Sequence, residues 1–260
     1  QLPNLKLISQ RSVYPHVDVD ACTENNVLLC SNMHAGAPSY AAAEHTLALI
    51  LASNRQIPQQ AASLKAGLWQ SGVGRTLRGR TLGLYGYGRI AGAVAEYATA
   101  LGMKVQWWAS DEGRARALAA GEAVAPSREA FFATSDIVSV HVRLKPATRG
   151  LINAADLAAM QPRALFVNTS RSGLVVRGAL EAEIAKGRIF AAVDVFDQEP
   201  LTDRDNPLLT HPNVLATPHI GYVTEDEFDL QFSDIFDQIN AYDTGAPIHM
   251  INAQVWNPKA

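Results

Sequence analysis

The sequence predicts an α/β protein built on an open parallel sheet with helices on both faces. Three observations predict it. From residue 81 onward, short apolar runs alternate with helical stretches. A glycine turn, Gly86-Tyr-Gly88-Arg-Ile-Ala91, joins the first of those runs to a helix. Arg171, Glu199 and His219 each follow one of the last three runs. Ligands of open parallel sheets bind beyond the carboxyl ends of the strands, so this order places a cation, a carboxylate and an imidazole near a nucleotide turn.

Taken in order, residues 5–9 and 27–30 are short apolar runs around a helical turn at 20–25. A loop containing Gly36 and Pro38 leads into a helix over about 39–54, where Ala43, Leu47, Ile50 and Leu51 recur at three-to-four spacing. Residues 67–80 are rich in Gly and Arg and read as an exposed arm. Strands are expected at 81–85, 104–108, 123–125, 136–140, 164–168, 190–194 and 213–217. Helices are expected between them at 89–101, 112–120, 127–133, 154–160 and 176–186. Gly102 and Gly187 are placed to stop helices. Asn153 reads as an N-cap, with Asp156 three residues on. The alternation implies right-handed crossovers. A last helix, about 224–242, carries Phe228, Phe232, Ile235, Phe236 and Ile239 on one stripe.

Composition excludes several function classes. The chain has 260 residues, 48% hydrophobic and 18% charged, enough for a buried core and too apolar for disorder. A net charge of -3 gives no electrostatic case for nucleic acid or an anionic membrane. No apolar run approaches the ~20 residues that span a bilayer. Cys22 and Cys30 are too few for a disulfide framework, no Cys/His spacing suggests a metal, and a reducing cytosol is the expected compartment. The chain begins with Gln1 rather than Met and enters a strand almost at once, so it is expected either to be processed or trimmed or to lack upstream residues.

The glycine turn has a physical logic. Gly86 permits the tight exit from the strand, Gly88 lets a pyrophosphate approach the backbone, and small Ala91 lets the helix pack closely. The phosphates would lie on the helix N-terminus beside Arg89 and Ile90. The acid that usually holds the adenosine ribose is missing. The second strand ends in Ala109-Ser110, Asp111 comes two residues late, and Arg114 and Arg116 stand where a 2′-phosphate could be met. The cofactor is therefore NAD or NADP, with NAD the preferred reading.

Three longer segments carry a family resemblance. Val167-Asn-Thr-Ser-Arg171-Ser-Gly, Asp194-Val-Phe-Asp-Gln-Glu199-Pro-Leu and Thr217-Pro-His219-Ile-Gly221 resemble the signatures of the D-isomer-specific 2-hydroxyacid dehydrogenases. Residues 136–151, 82–90 and the helix around Glu44-His45 are also similar to that family, which includes phosphoglycerate dehydrogenases and glyoxylate/hydroxypyruvate reductases. The resemblance implies a Rossmann-type NAD(P)-binding domain over 37–219. It implies a smaller α/β substrate domain from 1–36 and 220–260, N-terminally incomplete here. It also implies hydride transfer between NAD(P)H and a small 2-keto acid, giving a D-2-hydroxy acid or the reverse, in a homodimer.

Residue chemistry and resemblance assign the same roles. His219 exchanges the proton at the substrate oxygen, its reference pKa of about 6.5 suiting that work. Glu199 orients the ring and stabilises the imidazolium. Arg171 clamps the substrate carboxylate with a planar fork of donors. Ser110, His141, Thr169, Asp194, Gly221 and the backbone near Val140 are expected to line the cofactor, with Asp194 near the carboxamide. Where the family has a glycine-rich substrate loop, this chain has Arg11-Ser12-Val13-Tyr14-Pro15, and 32–36 resembles the second substrate loop. Arg11, Ser12, Val13, His34 and Gly36 are thus candidate substrate residues. Two rival readings share the fold: a non-catalytic dinucleotide sensor similar to transcriptional corepressors, and a formate dehydrogenase-like enzyme. The latter branch resembles Gln rather than Glu at position 199.

Overall fold

The computed structural model describes residues 2–14, 16–33 and 40–257. In chain order the elements are β1 (Leu7–Arg11), α1 (Val19–Glu24), β2 (Leu28–Asn32), α2 (Ala41–Arg55), α3 (Ile57–Lys65), β3 (Thr81–Tyr85), α4 (Arg89–Ala100), β4 (Lys104–Trp108) and α5 (Asp111–Ala119). They continue with α6 (Arg128–Thr134), β5 (Ile137–Val140), α7 (Ala154–Ala159), β6 (Leu165–Asn168), α8 (Ala179–Ile184), β7 (Phe190–Val193), α9 (Pro207–Thr210), β8 (Val214–Ala216) and α10 (Glu225–Asp243). The chain divides into two compact units, Gln1–Ser39 with Val223–Ala260, and Tyr40–Tyr222.

The larger unit carries one parallel sheet of order β4-β3-β5-β6-β7-β8. Its inner strands β3, β5, β6 and β7 are buried on both faces, which is why they read as apolar runs, whereas the edge strands β4 and β8 are only partly covered. The period of two decides which side chain joins which layer. Leu82, Leu84, Ile137, Leu165, Val167 and Ala192 join the layer with Ile50 of α2 and Val94 of α4. Val138, Val140, Phe166, Ala191 and Val193 join the opposite layer, with Phe131 and Phe132 of α6 and Ile184 of α8. Gly83 is dictated by that packing, since a Cβ there would lie 2.8 Å from the Phe131 ring.

Local signals terminate these elements as the sequence predicts. Gly102 and Gly187 lie just beyond their helices at φ of 76° and 68°. Asn153 and Asp156 form a reciprocal capping box on α7. Two expectations are corrected. The segment 123–125 makes only an isolated parallel bridge, Val124 to Trp107, because Pro126 follows at once and has no N–H to extend the ladder. The helix expected at 176–186 begins only at Ala179, behind left-handed Gly178. The stretch directly after α2, for which the sequence carried no expectation, forms the helix α3, which buries no residue.

In the smaller unit β1 and β2 pair in parallel, from Leu7 opposite Leu28 to Arg11 opposite Asn32. Buried Asn252 fastens the far end of the chain to β2, accepting from the Leu29 N–H at 2.8 Å and donating to the Val27 carbonyl at 3.0 Å. The face of α10 toward β1 is polar. Gln238 is fully buried and donates to the Gln10 carbonyl at 3.0 Å. The aromatic stripe of α10, Phe228, Phe232 and Phe236, is exposed. No described helix is long and apolar enough to cross a membrane.

Candidate active site

β3 has β4 on one side and β5 on the other, so the chain reverses direction across the sheet at β3. A crevice opens at the carboxyl ends of strands at such a point. Gly86 leaves β3 at φ 115°, and a Cβ there would lie 2.3 Å from the His141 carbonyl oxygen, so no other residue fits. Gly88 is the N-cap of α4 and has no side chain to cap it. Built Cβ atoms at Gly88 and Gly92 meet nothing within 4 Å. The first N–H groups of α4, which no helical carbonyl can serve, therefore face uncrowded space beside Arg89 and partly exposed Ile90. This is a cradle that fits a phosphate.

At the end of β4, buried Ala109 stands where an acid would meet a ribose. Ser110 caps α5, accepting from the Gly113 N–H at 3.3 Å. Arg114 is committed within the chain. It donates to the Ala109 carbonyl at 2.6 Å, pairs with Asp111, and lies 4.3 Å over the Trp108 ring. At the end of β5, His141 Nε2 is 2.9 Å from the Ser139 hydroxyl. Burial pushes the His141 imidazole down to about 4, so it is neutral near pH 7.

The loop after β6 is braced from several sides. Asn168 donates to the Arg171 carbonyl at 2.9 Å and accepts from the Ser170 N–H at 3.0 Å, while Ser170 donates to the Val140 carbonyl at 2.7 Å. Thr46 of α2 spends its hydroxyl proton on the Ala42 carbonyl, so Thr169, 2.8 Å away, donates to Thr46. Arg171 is exposed, and among the described residues no carboxylate pairs with it. Its guanidinium donates to the Ser170 carbonyl at 2.6 Å.

Glu199 and His219 meet. Glu199 Oε2 lies 2.6 Å from His219 Nδ1, and Oε1 accepts from the Phe196 N–H at 2.9 Å. A carboxylate can only accept, so Nδ1 carries a proton and Nε2 is the ring nitrogen left for other chemistry. The ring also packs edge-on to Tyr222 at 5.7 Å. His219 itself has φ 56°, a left-handed value uncommon for a residue with a Cβ.

Asp194, fully buried at the end of β7, holds the turn that carries His219. Its Oδ1 accepts from the Thr217 hydroxyl at 2.6 Å and the Ile220 N–H at 2.9 Å, and its Oδ2 from the Gly221 N–H at 2.8 Å. His45 Nε2 lies 3.3 Å from Oδ1. Burial pushes the Asp194 carboxyl up, but His45, Thr217 and the two amides outweigh it and hold the group below its ordinary value. His45 and Thr217 are the partners that sequence reasoning missed. The Glu44-His45 pair was visible, but nothing in spacing says that a helix residue reaches a loop more than 170 positions away.

In the smaller unit, the Arg11 side chain is buried against α10. Its Nε is 2.7 Å from Asp234 and its Nη1 3.4 Å from Glu227. Two carboxylates therefore already neutralise the cation that the sequence offers as a substrate residue. Ser12 keeps the left-handed backbone of a glycine, at φ 71°, with Val13 exposed beside it. His34 and Gly36 lie outside the described residues. Among the described residues no cluster of His, Cys, Asp and Glu could hold a metal.

Residues 47–221 match the sequence model of the D-isomer specific 2-hydroxyacid dehydrogenase NAD binding domain. The chain belongs to the D-isomer specific 2-hydroxyacid dehydrogenase family. Within that family it is similar to a hydroxypyruvate reductase of Thermotoga maritima, 38% identical over 86% of this chain and 72% of the relative. It is also 38% identical to the D-3-phosphoglycerate dehydrogenase of Mycobacterium tuberculosis, over 91% of this chain. There it spans 45% of the relative, less than half its length. The structure of a phosphoglycerate oxidoreductase from Vibrio cholerae superposes with a TM-score of 0.88 at 41% identity, covering 94% of this chain and 79% of that one. The glycine turn, the Arg171 loop and the Glu199–His219 pair all fall inside the 2-hydroxyacid dehydrogenase match.

Proposed function

We propose that the protein reduces a small 2-keto acid to its D-2-hydroxy acid with NAD(P)H, or runs the reverse oxidation. The observation that carries this reading is the 2.6 Å contact of Glu199 with His219 Nδ1, made between loops that follow adjacent strands β7 and β8. The pair fixes the tautomer and leaves Nε2 to give a proton to the carbonyl oxygen, or to take one back from the alcohol. Arg171, free of any carboxylate among the described residues, supplies the fork for the substrate carboxylate. A bound nicotinamide supplies or accepts the hydride at C2. Gly86, Gly88 and the open first turn of α4 hold its phosphates. Ser110, His141, Thr169, Asp194 and Gly221 border the same carboxyl edge of the sheet. Hydride and proton together convert the ketone to the alcohol, so nothing else is consumed.

NAD is the favoured cofactor. Arg114 is tied to Asp111 and the Ala109 carbonyl, and the first turn of α5 carries Asp111 and Glu112, a poor place for a 2′-phosphate. A homodimer is supported by the apolar residues left exposed from 57 to 73, among them Leu64, Leu68 and Trp69. The deciding assay follows NADH and NADPH oxidation with glyoxylate, hydroxypyruvate, pyruvate and bulkier keto acids, with formate plus NAD as a further arm. Turnover of a keto acid supports the reading. Cofactor binding without turnover of any of them overturns it in favour of a dinucleotide sensor.

A further inference from the structure

Asp194 does more than fill the end of β7. Two of its donors are the amides of Ile220 and Gly221, the residues that immediately follow left-handed His219. A non-glycine residue in that region is strained and persists only where its surroundings fix it. The carboxylate is the fixing group, and it is itself steadied from α2. Thr217 spends its single hydroxyl proton on Asp194 Oδ1 at 2.6 Å, so its oxygen can only accept from His45 Nε2 at 3.1 Å. His45 Nε2 therefore bears a proton shared between Thr217 and Asp194, 3.3 Å away. A Cβ at Gly221 would lie 3.1 Å from Asp194 Oδ2 and 3.6 Å from His45 Cδ2, so glycine is what lets turn, carboxylate and imidazole close up.

We propose that His45 is a positioning residue: through Thr217 and Asp194 it locks the left-handed turn that presents His219 to Glu199. His45 touches no reacting atom in this scheme. The catalytic consequence rests on His219 being the proton carrier, whereas the locking of the turn does not. The chain of contacts runs from a rigid helix to the loop of a proposed acid–base group, and a displacement of about 1 Å at such a group costs up to ~10²-fold in rate.

The test compares His45→Leu, which keeps bulk and loses the donor, with His45→Gln, which returns an N–H at similar reach. In His45→Leu, kcat is expected to fall roughly 10–100-fold while the NADH dissociation constant moves less than about threefold. The amides of Ile220 and Gly221 should exchange with solvent at least about tenfold faster. His45→Gln should restore most of both. Thr217→Val, which removes only the bridging hydroxyl, gives the same readings if His45→Leu fails to fold. Unchanged exchange and kcat in His45→Leu, or no recovery in His45→Gln, overturns the proposal. If the unaltered protein turns over no keto acid, the proposed function fails, and the exchange data still decide whether His45 locks the turn.

Discussion

Two histidines at the carboxyl edge of the sheet show how surroundings sort one residue type into different work. His219 has Nδ1 against a carboxylate and Nε2 left over. His141 has Nε2 against the Ser139 hydroxyl and is pushed by burial to about 4. Of the two, only His219 has one ring nitrogen against a carboxylate and the other left for proton exchange. His219→Asn is expected to lower turnover by roughly 10²–10⁴-fold with NADH binding nearly intact; near-normal turnover would remove His219 from the mechanism. His141 makes a separate prediction. Its folded value, about 4, lies below its ordinary 6.5, so the fold favours the neutral ring. That contribution is full above 6.5, shrinks as pH falls and is gone below about 4, a swing of at most about 3 kcal/mol. His141 ring resonances should titrate near 4 in NMR, and His141→Asn should flatten the acid limb of the stability curve. A midpoint near 6.5 would contradict the burial argument. The sequence carried the Glu199–His219 pairing because both residues sit just after strands. It could not carry the fate of Arg11, whose partners Glu227 and Asp234 lie on a helix more than 200 positions away.

Elements were legible where they are buried and obscure where they are not. The inner strands β3, β5, β6 and β7 announce themselves because they are buried on both faces, which forces apolar runs. α3 is less legible: Ile57, Ala61 and Leu64 keep helical spacing, but the helix is only nine residues long and buries none of them. α10 misleads in a third way. Its aromatic stripe is real, but the side that meets β1 is polar, held by Gln238 and by the Arg11 ion pairs. The first turn of α5 makes the element-scale prediction. Asp111 and Glu112 sit at its start and Arg114 is held by Asp111. NADH should therefore be preferred over NADPH. The double change Asp111→Asn with Glu112→Gln removes two negative charges, among them the ion-pair partner of Arg114. Helix-terminus charges are worth about 0.3–1 kcal/mol each, so kcat/KM for NADPH should rise several-fold while that for NADH changes little. Equal change for both cofactors would separate α5 from cofactor choice.

At the scale of the whole molecule the unresolved physical demand is apolar surface. Contiguous exposed apolar patches are uncommon on proteins that work alone. The larger unit leaves Ile57, Leu64, Leu68, Trp69 and Val73 exposed within one short stretch, Trp69 at 78% and Val73 at 83%. The smaller unit leaves Phe232 and Phe236 at 51% and 58%. The two patches make different predictions because they lie on different units. If the 57–73 stretch is the homodimer contact, light scattering should give twice the chain's 28.0 kDa. Leu64→Asp with Trp69→Ser should then halve that mass, each buried large side chain being worth about 1.5–3 kcal/mol to the assembly. Phe232→Ser should leave the mass unchanged, because the α10 stripe is outside that contact. A monomeric unaltered protein, or dissociation by Phe232→Ser alone, would reject the 57–73 stretch as the contact. Glu199, His219, Arg171 and the glycine turn all belong to one unit. A dimer lost through the 57–73 stretch should therefore retain NADH binding, which separates loss of assembly from loss of fold in the same sample.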